Sequence, residues 1–373
     1  MKEDKFQSLV KLAFKNKASD IHLRSDEAPL FRIRGDLVPI QAKPLKSSDI
    51  QAIIHILLAD DKARAQFANA DEHDGSYEIK DFCRLRYNFF RYQGRWGIIL
   101  RLIKMEIPTV EGLGLAPVLN DIALQQRGLI LLTGETGSGK STTLAAMINH
   151  VNQHDPAHII TIEDPVEYQH TQMKSRITQR EIGVDTSTFA TGLRSALRQD
   201  PDIILIGEMR DVETISIALK AAETGHTVFS TVHTTDATST IGRIISMFPA
   251  SEQADVAKRL AENLYATISQ RLLKGAKGGL VAAQEIMINS PGIKECIIGE
   301  EDMSQMLKII ARGKTRDGMG PQTFDQHIID LYRHQRITKE TALEAVKSKS
   351  NFLTQLEMDD DDEYGDDDDE LIR

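Results

Sequence analysis

The fold of this chain is decided by a stretch near its middle, which has the sequence Gly134-Glu135-Thr136-Gly137-Ser138-Gly139-Lys140-Ser141-Thr142. The stretch matches the phosphate-binding pattern G-x-x-x-x-G-K-[ST] in full. Glycines at this spacing let the backbone bend so that successive N–H groups point at phosphate oxygens. Lys140 can reach the outer phosphates of a nucleoside triphosphate, and the Ser141 hydroxyl can bind Mg²⁺. Residues 134–142 are therefore predicted to bind ATP together with magnesium.

Apolar runs on both sides of this loop predict a parallel sheet. Short apolar runs bounded by polar residues and glycine are typical of buried parallel strands, and helical stretches lie between them. Alternation of strands and helices predicts an α/β fold with a doubly wound or RecA-like sheet. The runs are GLILLTG (128–134), HIITIED (158–164), DIILIGE (202–208) and HTVFSTVH (226–233).

The rest of the chain predicts a second domain, a linker and a tail. Apolar and polar residues roughly alternate in 19–40 and 83–103, which indicates strands of a small N-terminal α+β domain. Glycine and proline in IPTVEGLGLAP indicate a linker, and the chain beyond Pro249 is predicted to be mostly helical. The predicted division is an N-terminal domain at 1–105, a linker at 106–118, an ATPase domain with a helical C-terminal part at 119–350 and an acidic disordered tail at 351–373.

The bulk composition indicates a cytoplasmic globular protein and argues against several other classes. No apolar run approaches the roughly 18 residues that a transmembrane helix needs. Two cysteines are too few for a four-cysteine zinc site or a disulfide framework. The net charge of -10 comes from residues 357–373, which carry eleven acidic residues and one basic residue. Because the remaining chain sums to neutral, no nucleic-acid partner is expected.

Acidic residues at two strand ends provide the groups that hydrolysis needs beyond nucleotide binding. Glu163 ends the second run, with Glu167 shortly after it, and Glu208 ends the third run. Carboxyl ends of parallel strands meet at the sheet edge where the phosphate loop also lies. We predict that Glu163 polarises the attacking water and that Glu208 joins Ser141 in the magnesium shell, although these roles could be exchanged. The alternative for each carboxylate is a helix cap or a solvated turn.

Two histidines bracket the fourth run. His226 precedes it and His233 ends it. A histidine at a strand end could sense a phosphate or bridge it to a neighbouring group, whereas a lone histidine is more often a packing residue. Both residues are therefore candidate catalytic residues.

Four ordered segments resemble the motifs of the secretion and pilus ATPase superfamily, and within it those of the PilT/PilU-type type IV pilus retraction ATPases. The resemblance extends over about residues 1–350, and the PilT and PilU branches are both left open. The segments resemble its Walker A box (GETGSGKSTT), its Asp box (TIEDPVEYQH), its atypical Walker B box (DPDIILIGEMRD) and its His box (TGHTVFSTVHTTDA).

The resemblance implies an architecture and a set of partners. It implies a PAS-like N-terminal domain, a RecA-like ATPase domain and a homohexamer that hydrolyses ATP to power pilus retraction and twitching motility. Arg86 and Arg101 match the arginines that complete a neighbouring subunit's site in such rings; without the family they would be strand-face charges. The implied partners are an inner-membrane pilus platform protein, at whose cytoplasmic face the motor would act, and possibly a paralogous retraction ATPase.

Two other functions and a second role for the tail stay open. The chain could be an accessory nucleotide-binding subunit that modulates a partner pilus motor, or a nucleic-acid translocase with the same core. Turnover only in the presence of a second ATPase would favour the first, and DNA-stimulated hydrolysis the second. The acidic tail is either a solvated tail or an electrostatic docking arm for a basic partner.

Overall fold

A computed structural model gives the architecture of the chain and describes residues 2–33, 35–58, 64, 67, 70–80, 82–103 and 107–356. The chain divides into two compact units, Met1–Glu106 and Ile107–Arg373. No helix within the described part is both long enough and apolar enough to cross a lipid bilayer.

The first unit packs helices against one face of an antiparallel sheet. The strand order is β3-β2-β1-β6-β5-β4. Alternate residues of a strand face opposite sides, so Leu85 and Phe89 are buried against the helices while Arg86 lies on the other face. This arrangement confirms the predicted α+β domain, although the sequence analysis missed β4. The elements are α1 (Glu3–Lys15), β1 (Ala18–Arg24), β2 (Leu30–Ile33), β3 (Asp36–Pro39), α2 (Ser47–Leu57), β4 (Glu72–Ile79), β5 (Cys83–Tyr92) and β6 (Arg95–Ile103).

The second unit is built on a seven-stranded sheet with the order β13-β12-β7-β11-β10-β8-β9. Neighbouring strands are parallel except for the β12–β13 pair. The four predicted runs form β7, β8, β10 and β11, which confirms the parallel RecA-like sheet. The elements are α3 (Val118–Ala123), β7 (Gly128–Thr133), α4 (Lys140–His154), β8 (His158–Glu163), β9 (Arg176–Glu181), α5 (Phe189–Ala196), β10 (Ile203–Ile206), α6 (Val212–Glu223), β11 (Thr227–Val232), α7 (Ala237–Ser246), α8 (Gln253–Asn263), β12 (Leu264–Lys274), β13 (Leu280–Ile288), α9 (Pro291–Ile298), α10 (Gln305–Arg312), α11 (Phe324–Arg333) and α12 (Lys339–Ala345).

Two strands lie within the C-terminal part that was predicted to be mostly helical. β12 pairs in parallel with β7, the strand that leads into the phosphate loop, and β13 pairs with β12. Polar residues within β12 hid its strand character, because Ser269 and Gln270 are buried and find hydrogen-bond partners there.

The predicted linker and the predicted start of the tail need correction. Segment 107–117 is packed on the second unit, because Val110, Leu115 and Ala116 are buried in one of its core clusters. Residues 351–356 are helical, and Phe352 is buried beside Tyr332. Apolar side chains precede the acidic run, so they join the core rather than the tail. The rest of the predicted tail, 357–373, lies outside the described residues.

Candidate active site

The phosphate loop connects β7 to α4 and depends on glycine at three positions. Gly134, Gly137 and Gly139 have φ values of 144°, 83° and 88°, a range that other residues rarely adopt. A Cβ on Gly134 would lie 2.4 Å from the main-chain oxygen of Gln270. The loop is therefore pressed against β12 and closes with the first turn of α4 at Lys140.

The side chain of Lys140 marks the centre of the site. Its Nζ donates hydrogen bonds of 2.8 Å to the carbonyl oxygens of Gly134 and Glu135. Burial lowers the pKa of Lys140, and the negative charges of Glu208 and Glu167 act in the opposite direction. Lys140, Glu167 and Glu208 therefore lie near one another, although they are 27 to 68 positions apart along the chain.

Two serines suit this loop to bind the phosphates of a nucleotide. The buried Ser138 Oγ has no hydrogen-bond partner within the described part of the chain, so it is free to bond an incoming anion. Ser141 is exposed at the first turn of α4, whose N-terminus favours negative charge. Thr142 is held differently, because its hydroxyl lies 2.9 Å from the Tyr168 hydroxyl. Glu135 and Thr136 are exposed at the tip of the loop.

Glu163, the last residue of β8, is a carboxylate with an altered proton affinity. Burial raises its pKa above the ordinary value. Hydrogen bonds from Thr161 Oγ1 at 2.6 Å and Gln179 Nε2 at 3.2 Å oppose that shift. A raised pKa makes a carboxylate a stronger base, which is the property that activation of water requires. Glu167 lies four residues further on and is exposed.

Glu208 lies just beyond β10 and is the centre of a small ionic cluster. Its Oε2 forms an ion pair with Arg210 Nε, 2.6 Å away. The Nε2 atom of His233, just beyond β11, lies 3.5 Å from the same oxygen. The structure thus brings Glu208 and His233 together at the carboxyl edge of the sheet, as the strand directions require.

His226 lies elsewhere, and this departs from the prediction that both histidines serve the site. It immediately precedes β11, so it lies at the amino edge of the sheet, opposite the phosphate loop. Its Nδ1 lies 3.0 Å from the carbonyl oxygen of Ala221 and 3.2 Å from Thr224 Oγ1. Within one chain, His226 therefore bonds the end of α6 and is not part of the Glu208 cluster.

Arg86 and Arg101 belong to the first unit and form a pair there. They are directly opposite each other on β5 and β6, and Asp20 on β1 is opposite Arg101. Arg101 Nε donates a hydrogen bond of 2.9 Å to Asp20 Oδ1, while most of the arginine side chain remains exposed. Like charges opposite one another destabilise a sheet. Asp20 offsets part of the positive charge of this pair.

Several residues of the site were missed by the sequence analysis. Thr161 could have been found, because residues two apart in a strand share a face and Glu163 had already been singled out. Arg210 also follows Glu208 closely. Gln179 and Gln270 carried no signal, since they reach the site from β9 and β12 through long-range pairing.

Comparison with known proteins places this site in a family. The family model for type II/IV secretion system proteins matches residues 2–355. The chain belongs to that family. It is 44% identical over 344 residues to the type IV pilus retraction ATPase PilT of Pseudomonas aeruginosa, covering 92% of this chain and 98% of PilT.

Two further comparisons agree with this placement. The type IV pilus ATPase PilU of the same organism is 35% identical over 354 residues, which cover 95% of this chain and 91% of PilU. A crystal structure of the pilus retraction motor PilT with bound ADP superposes with a TM-score of 0.84 at 39% identity, covering 92% of this chain and 97% of that one. The predicted PilT/PilU-type resemblance is confirmed, and the chain is an ATPase of this type.

Proposed function

We propose that the chain hydrolyses ATP as a homohexameric motor that retracts type IV pili and so drives twitching motility. The observation that carries the proposal is the position of Lys140, Glu163 and Glu208 at the carboxyl edge of one parallel sheet, in a chain 44% identical to PilT of Pseudomonas aeruginosa. The P-loop holds the triphosphate, and the two carboxylates and His233 surround its outer end.

The chemistry follows from the surroundings of each side chain. Lys140 exchanges its bonds with the loop carbonyls for bonds to the β and γ phosphates. Glu163, with its raised pKa, orients a water molecule and accepts its proton. Ser141 and Glu208 would hold Mg²⁺, which neutralises phosphate charge when bound. Arg210 and His233 fix the Glu208 carboxylate.

Arg86 and Arg101 would act on the nucleotide of a neighbouring subunit. Two guanidinium groups side by side match the charge that spreads over the transferred phosphoryl oxygens. The Asp20 contact with Arg101 supports this role, because it limits the rotamers of an exposed arginine before any anion arrives.

The work would be done at the cytoplasmic face of the inner membrane, on a pilus platform protein and possibly beside a paralogous retraction ATPase. The similarity to both PilT and PilU supports these partners. Each hydrolysis step would change the position of an N-terminal unit relative to a neighbouring ATPase unit.

Phosphate release by the purified protein tests the enzymatic core, with Lys140→Ala as the comparison. Turnover by the unaltered chain and its loss in the variant are expected; equal rates would refute the proposal. Imaging of labelled pili in a deletion strain tests the motor. Long, unretracted fibres are expected, whereas absent fibres would indicate an assembly role.

A further inference from the structure

A row of buried amide side chains runs from the phosphate loop into the body of the second unit. Gln270 on β12 and Gln284 on β13 are directly opposite each other and are 2% and 0% exposed. Gln284 Nε2 donates a hydrogen bond of 3.1 Å to Gln270 Oε1. Buried amides remain in a core only where their polar atoms find partners.

At one end of this row, Gln270 contacts the phosphate loop. Gln270 Nε2 donates a hydrogen bond of 2.6 Å to the carbonyl oxygen of Ser138, and Thr143 Oγ1 donates one of 2.9 Å to Gln270 Oε1. Ser138 lies in the loop and Thr143 in the first turn of α4. The same amide also lies 2.8 Å from where a Cβ on Gly139 would be. Gln270 therefore contacts both the phosphate loop and the first turn of α4.

At the other end of the row, Gln284 contacts the segment that follows the first unit. Gln284 Oε1 accepts a hydrogen bond of 3.1 Å from the main-chain N–H of Ala116. Ala116 is buried in segment 107–117, which is the covalent connection from the first unit to the ATPase core. Nδ1 of the buried His327 accepts a bond from the Gln284 N–H, which fixes the Gln284 backbone.

We propose that Gln270 and Gln284 are positioning residues that order the phosphate loop for nucleotide and connect it to segment 107–117. This inference rests on the proposed function only for the identity of the ligand, a nucleotide at the P-loop. A loop that is already ordered loses less conformational freedom on binding and so binds more tightly. Because each amide uses both its donor and its acceptor, a shift of the Ser138 carbonyl changes the bond at Ala116 through two intervening side chains.

The test compares Gln270→Met and Gln284→Met with Gln322→Met. Methionine is similar in length to glutamine but lacks the amide. Gln322 is a matched control, because it is also buried and donates a bond of 3.3 Å to the main-chain oxygen of Gln284, with no bond to the loop or to Ala116. The measurements are the Kd for ADP and the hydrogen exchange of the Ala116 amide.

Loss of the Ser138 bond should raise the Kd of Gln270→Met about fivefold, since a buried hydrogen bond contributes on the order of 1 kcal/mol. Gln284→Met should raise it less, and both variants should exchange the Ala116 proton faster than Gln322→Met. Equal ADP affinities in Gln270→Met and Gln322→Met would overturn the inference, as would an unchanged Kd in Gln284→Met.

A measurement on the unaltered protein keeps the inference testable if a variant fails to fold. Saturating ADP should slow hydrogen exchange at Ala116, and unchanged exchange would overturn the connection. If the unaltered chain does not bind ADP, the proposed function itself fails, so the two failures are distinguishable.

Discussion

Glu163 combines three properties that a general base needs: a position at the carboxyl edge of the sheet, a raised pKa and hydrogen bonds that orient it. Neither of its partners removes its negative charge, because Thr161 and Gln179 are neutral donors. Glu208 differs, since an arginine and a histidine contact it. The two carboxylates therefore differ in their surroundings, which supports the proposal that Glu163 is the base and Glu208 binds magnesium.

The substitution Glu163→Gln should lower kcat by about 10² to 10⁴, the usual contribution of a general base. ADP affinity should change little, because the P-loop is untouched. Steady-state kinetics and equilibrium binding measure the two quantities. Glu223→Gln is the control, since Glu223 pairs with Arg259 at the far end of α6. A Glu163→Gln enzyme that retains its full kcat would show that another group activates the water.

The raised pKa of Glu163 predicts an effect of pH on both rate and stability. Only the ionised carboxylate accepts a proton, so kcat should fall as pH falls through its folded-state pKa, which lies above the ordinary glutamate range. Protonation of Glu163 also removes the cost of burying its charge. Its contribution to the free energy of unfolding is therefore complete below the unfolded-state pKa and is lost as pH rises through the folded-state pKa.

Unfolding at several pH values checks the second part of this prediction. Glu163→Gln should be more stable than the unaltered chain at neutral pH and should lose the difference in acid. A stability difference that grows in acid would contradict the sign of the shift.

At the residue scale, the structure brings several of the predicted site residues together and places His226 apart from them. The P-loop residues were predictable because their pattern is local and its chemistry is fixed. His233 and His226 are seven positions apart in similar surroundings, yet only His233 lies near Glu208. The direction of a parallel strand separates them, since the residue before a strand lies at the opposite sheet edge from the residue after it.

At the scale of elements, β12 explains why the P-loop needs particular glycines. Gly134→Ala should destabilise the ATPase unit strongly, because its Cβ would lie 2.4 Å from a main-chain oxygen of β12. Gly137→Ala is the matched control: its φ is also positive, but no atom lies within 4 Å of an added Cβ.

For Gly137→Ala, about 1–2 kcal/mol of backbone strain is expected. Denaturant unfolding followed by ADP binding should rank the two variants, with Gly134→Ala the less stable. The reverse order would show that the loop does not pack on β12 as described.

The C-terminal helix at 349–356 gives a second prediction at this scale. Phe352→Ala should destabilise the second unit by about 3–5 kcal/mol, because a buried phenylalanine is lost and a cavity remains. Leu353→Ala should have a much smaller effect, since Leu353 is 38% exposed. Thermal unfolding of both variants measures the difference. Equal effects would mean that residue 352 is not packed in the core.

The helices and strands were predictable where the pattern of apolar residues was clear. The runs that form β7, β8, β10 and β11 are short, mostly apolar and bounded by polar residues and glycine, so they indicated buried strands. β12 was missed because Ser269, Gln270 and Arg271 interrupt its apolar residues. Ser269 and Gln270 can be buried in this strand because they form hydrogen bonds with residues more than 130 positions away. Such long-range pairings leave no pattern in a local window.

At the scale of the whole molecule, the proposed mechanism depends on cooperation between copies of the chain. Each copy has a phosphate loop in its second unit and the Arg86–Arg101 pair in its first unit. If the arginines serve a neighbour, each active site needs residues from two subunits. Local sequence patterns cannot show this, because the residues that would meet belong to different chains.

Subunit mixing tests this central claim directly. The double variant Arg86→Ala/Arg101→Ala keeps an intact P-loop, and Lys140→Ala keeps intact arginines, so each should be nearly inactive alone. Mixed rings place an intact loop beside intact arginines. If the arginines act on a neighbour's nucleotide, ATP turnover by the mixture should be well above the sum of the separate rates. Turnover no higher than that sum, in rings shown to contain both variants, would contradict the claim.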